Sequence, residues 1–566
     1  MTALILVPLL PLLTMAIVTI GPRGSQDRRA GIGVLPLVAA WAGAVMIFVQ
    51  VVSQGPVSIR FYEPGSAASL AFPIGFYFDR LSATMMVLIT GIGTIIYRYS
   101  IRYMHQERGY ARFLALMLFT IFVLLCMVSS ANLMMLFVCW QLLTPLFSML
   151  SHRYEHQPTL DGAFKTFAMW RTADMAFLAG IVLAYALYGT IEFQELFARA
   201  AATPFTLSPL PGLEVSGATA VTLLLFIGAM GKSAQFPLHL WMPGSLYAPT
   251  PVSALMHAGL VNAGGFLINR LAPLYGQSET ALHVVFLVGG VTVIFGACMM
   301  LIQSDIKNTL GFSTIGQMGY MIMECGLGAF ALAVFHLIAH GLFKATAFLN
   351  CGNVIHKARQ DPVWPHAGHL VEEHELPRLT WTIGFVTTLL LPLVILLATH
   401  GVLRIPLLES QGTVIFLLFA WVTSSQAILT LTRLRAVASW KVSVAMLLTL
   451  FFVVFTYLFA AETFTHFLYP NPEDVARYFK AAALPGRLFD ALVGATTLLM
   501  ILTWVYLYAQ AHGRTMSMPD WVATPRDRLY VLFMNQLSVD VLYAKLGRGV
   551  LRVAHCVDKR MLGRVP

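Results

Sequence analysis

Residues 231–258 read GKSAQFPLHLWMPGSLYAPTPVSALMHA, and this stretch decides how the rest of the chain is to be understood. It joins two apolar runs, at 216–234 and 249–270, each close to the roughly 20 residues a helix needs to cross a bilayer. Inside those runs sit Lys232 and His257, and beside them Gly231, Pro237, Pro243-Gly244 and Pro249-Thr250-Pro251. A charge at mid-bilayer costs roughly 2.5–3.5 kcal/mol on insertion scales, so each one needs a reason. Broken helices are tolerated in membranes where protein or a water-filled cavity satisfies the freed backbone groups. Ionisable groups placed at helix breaks are the pattern of an ion path rather than of an anchor.

Composition agrees. The chain has 566 residues, of which 58% are hydrophobic and 11% charged, with a mean hydropathy of +0.75. Soluble domains carry roughly 25% charged residues, so a water-soluble globule is excluded. Disorder is excluded by the apolar content. The six cysteines form no CxxC pair, which argues against a disulfide framework or a cysteine zinc site. About fifteen apolar runs can be counted, so the sequence predicts an all-α polytopic membrane protein. The first run lacks a charged leader region and reads as a retained helix. Between the second and third runs, 57–62 and 69–78 are β-prone and flank Pro64-Gly65, predicting an extramembrane hairpin.

Loop charge sets the orientation. Lys and Arg fall 25 to 8 in favour of the loops that follow odd-numbered runs, the tail included. Positive loops stay cytoplasmic, so the N-terminus is expected outside and the C-terminus in the cytoplasm, in the cell inner membrane. The formal charge of +10 is therefore topological, and no nucleic-acid partner is expected. In the tail, 537–562 spaces Val539, Leu542, Leu546, Val550, Val553 and Val557 near helical periodicity with basic residues between them. It reads as an amphipathic helix lying on the membrane or on a partner.

Further charges fall within apparent spans. His336, His340 and Lys344 are spaced i, i+4, i+8, which stacks them over about 12 Å of one helix face. A lone buried histidine is more often a satisfied hydrogen bond than a proton carrier. Three titratable groups on one face, with Lys232 and His257 elsewhere, reverse that weighting. Arg171 and Asp174, three apart, can pair locally, and a structural ion pair weighs evenly with a role in conduction. The loop 365–377 carries His366, His369, Glu372, Glu373, His374 and Glu375, but their spacing matches no metal motif, and a solvated loop is the better reading. No metal site, cofactor or catalytic residue is expected, and the chain by itself does not read as an enzyme.

The motifs at 231–258 resemble the signature of the antiporter-like membrane subunits of respiratory complex I (the NuoL type) and of the Mrp cation antiporters. So do QSDIK at 303–307, STIGQMGY at 313–320 and FHLIAHGLFKA at 335–345, and Arg171 and Asp174 align with a charged pair of that family. The resemblance implies two inverted five-helix repeats with broken helices. It divides the chain into N-terminal helices with the hairpin (1–110), a first repeat (111–271), a second repeat (280–435), C-terminal helices (436–512) and a cytoplasmic amphipathic tail (513–566). It implies that Lys232 is the central lysine of the first half-channel, and that His257, His336, His340 and Lys344 form the connecting polar axis.

Two departures qualify it. Where the family carries a Trp-Glu pair in the fifth helix, this chain has Trp140-Gln141, and Gln141 supplies no negative charge to Lys232. Asp174 is the carboxylate left to take over that role. Second, 381–399, where the family's second-half lysine is expected, contains no Lys, Glu or Asp. With these losses and a shorter C-terminal end, the chain is most similar to the DabB family, membrane subunits of inorganic-carbon accumulating complexes. That resemblance implies a cytoplasmic zinc partner of the DabA type, related to β-carbonic anhydrases, whose vectorial CO2 hydration is driven by cation flow through the membrane subunit. A complex I-type subunit, an Mrp-type antiporter subunit and a non-conducting scaffold stand as alternatives. The residues leave H+ and Na+ both open.

Overall fold

The computed structural model describes residues 2–20, 26–62, 72–151, 157–210, 212–245, 247–360, 462–511 and 520–541, with scattered positions to 556. The helices are α1 (Thr2–Thr19), α2 (Gln26–Ile32), α3 (Val34–Gln54), α4 (Arg80–Tyr103), α5 (Tyr110–Val128), α6 (Leu133–Ser151), α7 (Gln157–Tyr188), α8 (Phe193–Ala202) and α9 (Gly217–Lys232). They continue with α10 (Trp241–Ser245), α11 (Thr250–Leu255), α12 (Ala263–Arg270), α13 (Ala272–Tyr275), α14 (Glu279–Leu301), α15 (Ile306–Gly326) and α16 (Phe330–Gln360). Towards the C-terminus follow α17 (Pro472–Ala481), α18 (Gly486–Ala511) and α19 (Asp520–Met534). Among the described residues, eight helices are long and apolar enough to cross a membrane. Three of the fifteen apolar runs, much of the second repeat and the 365–377 loop lie outside the described residues.

The hairpin expected after the second run is present. Strand β1 (Val57–Tyr62) pairs antiparallel with β2 (Ile74–Phe78), which starts later than the sequence suggested. A second hairpin, β3 (Thr206–Leu210) with β4 (Leu213–Ser216), was not anticipated, because its strands are too short to show alternation against the apolar background.

The interior is built by close approach of small residues, as expected where lipid gives helices no hydrophobic reason to associate. A Cβ on Gly296 would meet the backbone nitrogen of Gly316 at 2.4 Å, and one on Gly289 would meet that of Met323 at 2.5 Å, so α14 and α15 lie backbone against backbone. Gly231 and Gly228 do the same for α9 against α7, where added Cβ atoms would strike Ala173 and Phe177 at 2.4 and 2.7 Å. These contacts fix the two helices that carry Lys232 and Asp174.

The breaks inferred from Pro and Gly are real. Helix α9 ends at Lys232, and 233–240 is a run of turns. The run 249–270 is not one helix: α11 passes into a π-helical segment, Met256–Leu260, before α12 begins. Such π segments are frequent at functional sites because they re-aim side chains and free backbone groups. In the tail, Val539 is buried, Asp540 pairs with Lys165 of α7 at 3.4 Å, and the Tyr543 hydroxyl donates to the Pro237 carbonyl at 3.4 Å. That part of the tail docks on its own chain, a third option beside membrane and partner.

Candidate functional site

Lys232 closes α9 with its side chain wholly buried. Its Nζ donates to the backbone carbonyl of Trp140 at 2.6 Å. It also sits 4.8 and 4.7 Å from the ring centroids of Trp140 and Trp170, within the range where an aromatic face attracts a cation. The cage is closed by Trp241, edge-on to Trp170 with centroids 4.9 Å apart and donating to the Gly231 carbonyl at 2.8 Å. An ammonium has three donors, and among the described residues one hydrogen-bond acceptor meets them.

Asp174, also buried, makes no direct ion pair with Lys232 or with Arg171. Its Oδ1 accepts from the indole N–H of Trp140 at 2.7 Å, while Oδ2 makes no hydrogen bond. The local Arg171–Asp174 pair suggested by the spacing is therefore corrected: Arg171 turns to α6 and donates to the Gln141 carbonyl at 2.8 Å. Helix α6 offers each residue a partner that the i, i+3 geometry does not. Gln141 thus gives its backbone carbonyl to Arg171, its side chain also bears on the Asp174 carboxylate, and its Oε1 has no hydrogen-bond partner among the described residues. Trp140 is the residue the sequence reading missed, since it receives the ammonium on its carbonyl and gives its N–H to the carboxylate.

The next links run through the helix breaks. Ser233 Oγ donates to the Val261 carbonyl at 2.6 Å and accepts from the Gly264 N–H at 3.1 Å, tying the turn after Lys232 to the end of the π segment. Within that segment His257 is fully buried and stacks on Phe348 of α16 with centroids 4.2 Å apart. Neither ring nitrogen of His257 or His340 has a hydrogen-bond partner among the described residues. Buried unpaired imidazoles are costly in a merely structural core, so these two invite a functional explanation. Lys344 donates to the Leu310 carbonyl at 3.1 Å. His336, His340 and Lys344 all lie on α16 as expected, with 6.2 Å between the ring centroids of the two histidines.

Two partners were not foreseen. His336 Nδ1 lies 3.1 Å from Glu324 Oε2 and Nε2 lies 2.9 Å from Gln317 Oε1, both on α15. Glu324 sits in the helix end at 306–326, where its single charge was masked by the apolar residues around it. Arg270 closes α12. It is buried and donates to Asp79 Oδ2 at 2.6 Å, to Ser82 Oγ at 2.6 Å and to the Val128 carbonyl at 3.3 Å. The first of these stands apart from the line of groups between Lys232 and Glu324 and pins α12 to the start of α4.

The described residues therefore bring together two clusters, Lys232–Trp140–Asp174 with Arg171 and Gln141, and His257–Lys344–His340–His336 with Glu324. Each cluster contains side chains of titratable type, Lys232 and Asp174 in the first and three histidines, Lys344 and Glu324 in the second.

Comparison with known proteins bears on the family and the fold. Residues 130–425 match the family model described as NADH:quinone oxidoreductase/Mrp antiporter, transmembrane region, and 66–114 match complex I chain 5 N-terminus. A relative from Halothiobacillus neapolitanus, named probable inorganic carbon transporter subunit DabB1, is 40% identical over 84% of this chain and 85% of its own. NADH-quinone oxidoreductase subunit L of Neisseria meningitidis is 36% identical over 68% of this chain, which spans 58% of that relative. Among solved structures, the Mrp complex of Dietzia sp. aligns with a TM-score of 0.59 at 21% identity over 100% of this chain and 60% of its own. An archaeal membrane-bound sulfane sulfur reductase aligns with the same TM-score, 0.59, at 16% identity over 99% of this chain and 96% of its own. At those identities the likeness concerns the fold.

Proposed function

This chain belongs to the family of antiporter-like membrane subunits shared by NADH:quinone oxidoreductases and Mrp antiporters, and from that premise we propose that it is the cation-conducting membrane subunit of an inorganic-carbon accumulation complex. It is a multi-pass membrane protein and a transport subunit rather than an enzyme. The observation that carries the finer reading is the 40% identity to DabB1 across 84% of one chain and 85% of the other, where the subunit L relative is matched over 58% of its length.

In this reading the conducted ion is the proton. Lys232 holds it in the first half, with Asp174 as counter-charge through Trp140 and with Arg171 and Gln141 framing α6 against α7. His257, in the π segment, passes it towards Lys344, His340 and His336. The geometry supports this in that Lys232, Asp174, His257, His340 and Lys344 are buried, and Asp174 Oδ2 and the ring nitrogens of His257 and His340 have no hydrogen-bond partner among the described residues. Flow down the proton gradient drives CO2 hydration to bicarbonate on a cytoplasmic zinc subunit of the DabA type, and the basic tail lies on the face where such a partner docks.

The test is co-purification from detergent-solubilised membranes. A zinc carbonic-anhydrase-like subunit is expected in stoichiometric amount. Recovery of NADH-oxidising subunits instead would establish a complex I-type subunit, and a set of small hydrophobic subunits an Mrp-type antiporter.

A further inference from the structure

The second half of the axis poses a problem of chemistry. The run 381–399 contains no Lys, Glu or Asp, so the expected lysine beyond α16 is missing. A relay of histidines and a lysine needs a final group that takes the proton from the last imidazole and releases it. The carboxylate in contact with the last imidazole is Glu324.

We propose that Glu324 is the proton-exchanging carboxylate that terminates the axis at His336, standing in for the absent lysine. This rests on the reading of the axis as a proton path and adds to it a residue and a terminus. The geometry carries it. Glu324 is buried, its Oε2 is 3.1 Å from His336 Nδ1, and its Oε1 has no hydrogen-bond partner. Gln317 Oε1 lies 2.9 Å from His336 Nε2, so both ring nitrogens meet a side-chain oxygen on α15, and a proton that reaches the ring can sit on Nδ1 against Glu324. The transfer balances: the Nδ1 proton passes to Oε2, leaving a neutral imidazole, still Nε2–H, and a neutral carboxylic acid. The acid then exchanges its proton with water and returns to carboxylate, the same steps run in reverse carry a proton the other way, and the next titratable group along α16 is His340, its ring centroid 6.2 Å from that of His336.

The position suits the end of a path, where it meets water. Glu324 lies two residues from the end of α15, at the opposite end from Asp305 and Lys307. Its helix is held rigidly there, because a Cβ on Gly326 would meet the Phe286 backbone nitrogen at 2.3 Å and one on Gly319 that of Val293 at 2.7 Å.

The experiment measures proton flux in proteoliposomes holding the full chain with the subunits that co-purify with it. E324Q keeps size and hydrogen bonding but cannot ionise, and flux is expected to fall roughly 100-fold, the low end of what a positioned acid–base group contributes. E324D, which keeps the carboxyl, is expected to stay within about threefold of wild type. Flux in E324Q within twofold of wild type, or equal losses in E324Q and E324D, overturns the proposal. Where E324Q does not accumulate in membranes, carbodiimide treatment of the wild-type protein decides. Flux lost in step with labelling of Glu324 supports the role, and full labelling with undiminished flux, or no labelling at Glu324, overturns it. K232A is run in parallel: loss in K232A with retention in E324Q removes Glu324 alone, whereas retention in both removes the proton path itself.

Discussion

The two ends of the buried axis treat charge in opposite ways. At Lys232 the ammonium and the carboxylate of Asp174 never touch, because Trp140 stands between them, its carbonyl on one and its N–H on the other. At His336 the carboxylate of Glu324 is in direct contact at 3.1 Å. Coulomb attraction falls with distance and rises as the medium dries, so a cation held off from its partner is the easier one to discharge. A cation in contact shares its proton with the partner. The first arrangement suits a site that must load and unload while sealed, and the second suits a site that hands its proton on.

The largest effect tests the separated end. Lys232→Ala is expected to abolish proton flux while leaving the protein folded in the membrane, read by vesicle flux and by size-exclusion of the solubilised complex. Lys232→Arg is expected to fail as fully, since the guanidinium does not give up its proton. Normal flux in the Arg variant would mean that a fixed charge suffices and that no discharge occurs there.

Next comes the contact end. His336→Ala, His340→Ala and Lys344→Ala each interrupt one line on α16, so single and double variants are expected to lose flux by nearly the same factor. Additive losses in a double-mutant cycle would instead describe three independent sites. Retained flux in His340→Ala would leave its unpaired imidazole as a packing feature.

Asp174→Asn tests whether the first end uses its carboxylate at a distance. Flux is expected to drop strongly, and Gln141→Glu in that background is expected to restore part of it, because position 141 is adjacent to Trp140 on the same helix. Absence of rescue would show that the charge must sit at the Trp140 indole.

Trp140→Phe probes the bridge more gently. The carbonyl that holds Lys232 and a ring face both survive, and one hydrogen bond to a charged group is lost, worth about 1.5–3 kcal/mol. Flux is expected to fall about tenfold, well short of Lys232→Ala. An effect as large as that of Lys232→Ala would move the weight of the site from lysine to tryptophan.

How much of this was legible in the sequence follows from what each residue type reveals. Charges stand out against an apolar background, so Lys232, His257 and the α16 series were found, and Pro and Gly marked the broken helices that carry them. Trp140 was invisible in its role because its decisive atoms are a backbone carbonyl and an indole N–H, which no spacing rule weighs. Glu324 was overlooked because it closes a helix whose partner histidine belongs to the next one, and sequence spacing says nothing of packing between helices. Arg171 and Asp174 were near enough in sequence to suggest a pair, yet α6 offered each a better partner. The hairpin β1–β2 showed because it interrupts the apolar runs, whereas β3–β4 was too short to register.

Arg270 supplies the smallest expected effect on flux and the sharpest control, since it is a buried charge off the axis. It donates to Asp79, Ser82 and the Val128 carbonyl, and its guanidinium lies 5.8, 5.6 and 5.5 Å from the rings of Tyr77, Phe193 and Phe266. Apart from Phe266 on α12 itself, these partners tie Arg270 to β2, α4 and its cap, α5 and α8, and only Asp79 and the Tyr77 hydroxyl among them are titratable. That carboxylate also caps α4, accepting from the Ser82 N–H at 2.8 Å. Arg270→Met keeps the bulk and removes the charge. Breaking a buried pair costs about 3–5 kcal/mol, and the low end applies because Asp79 keeps 25% of its side-chain exposure and its capping bond. Thermal unfolding in detergent is therefore expected to shift down clearly, while flux per folded molecule stays within about twofold of wild type. Arg270→Lys is expected to fall between the two in stability, because an ammonium cannot reproduce the forked contacts to Asp79 and Ser82 at once. Were Arg270→Met instead to block flux in a protein of normal stability, the line from Lys232 to Glu324 would not be the whole path, and the separation of conducting from clamping charges on which the comparison rests would fail.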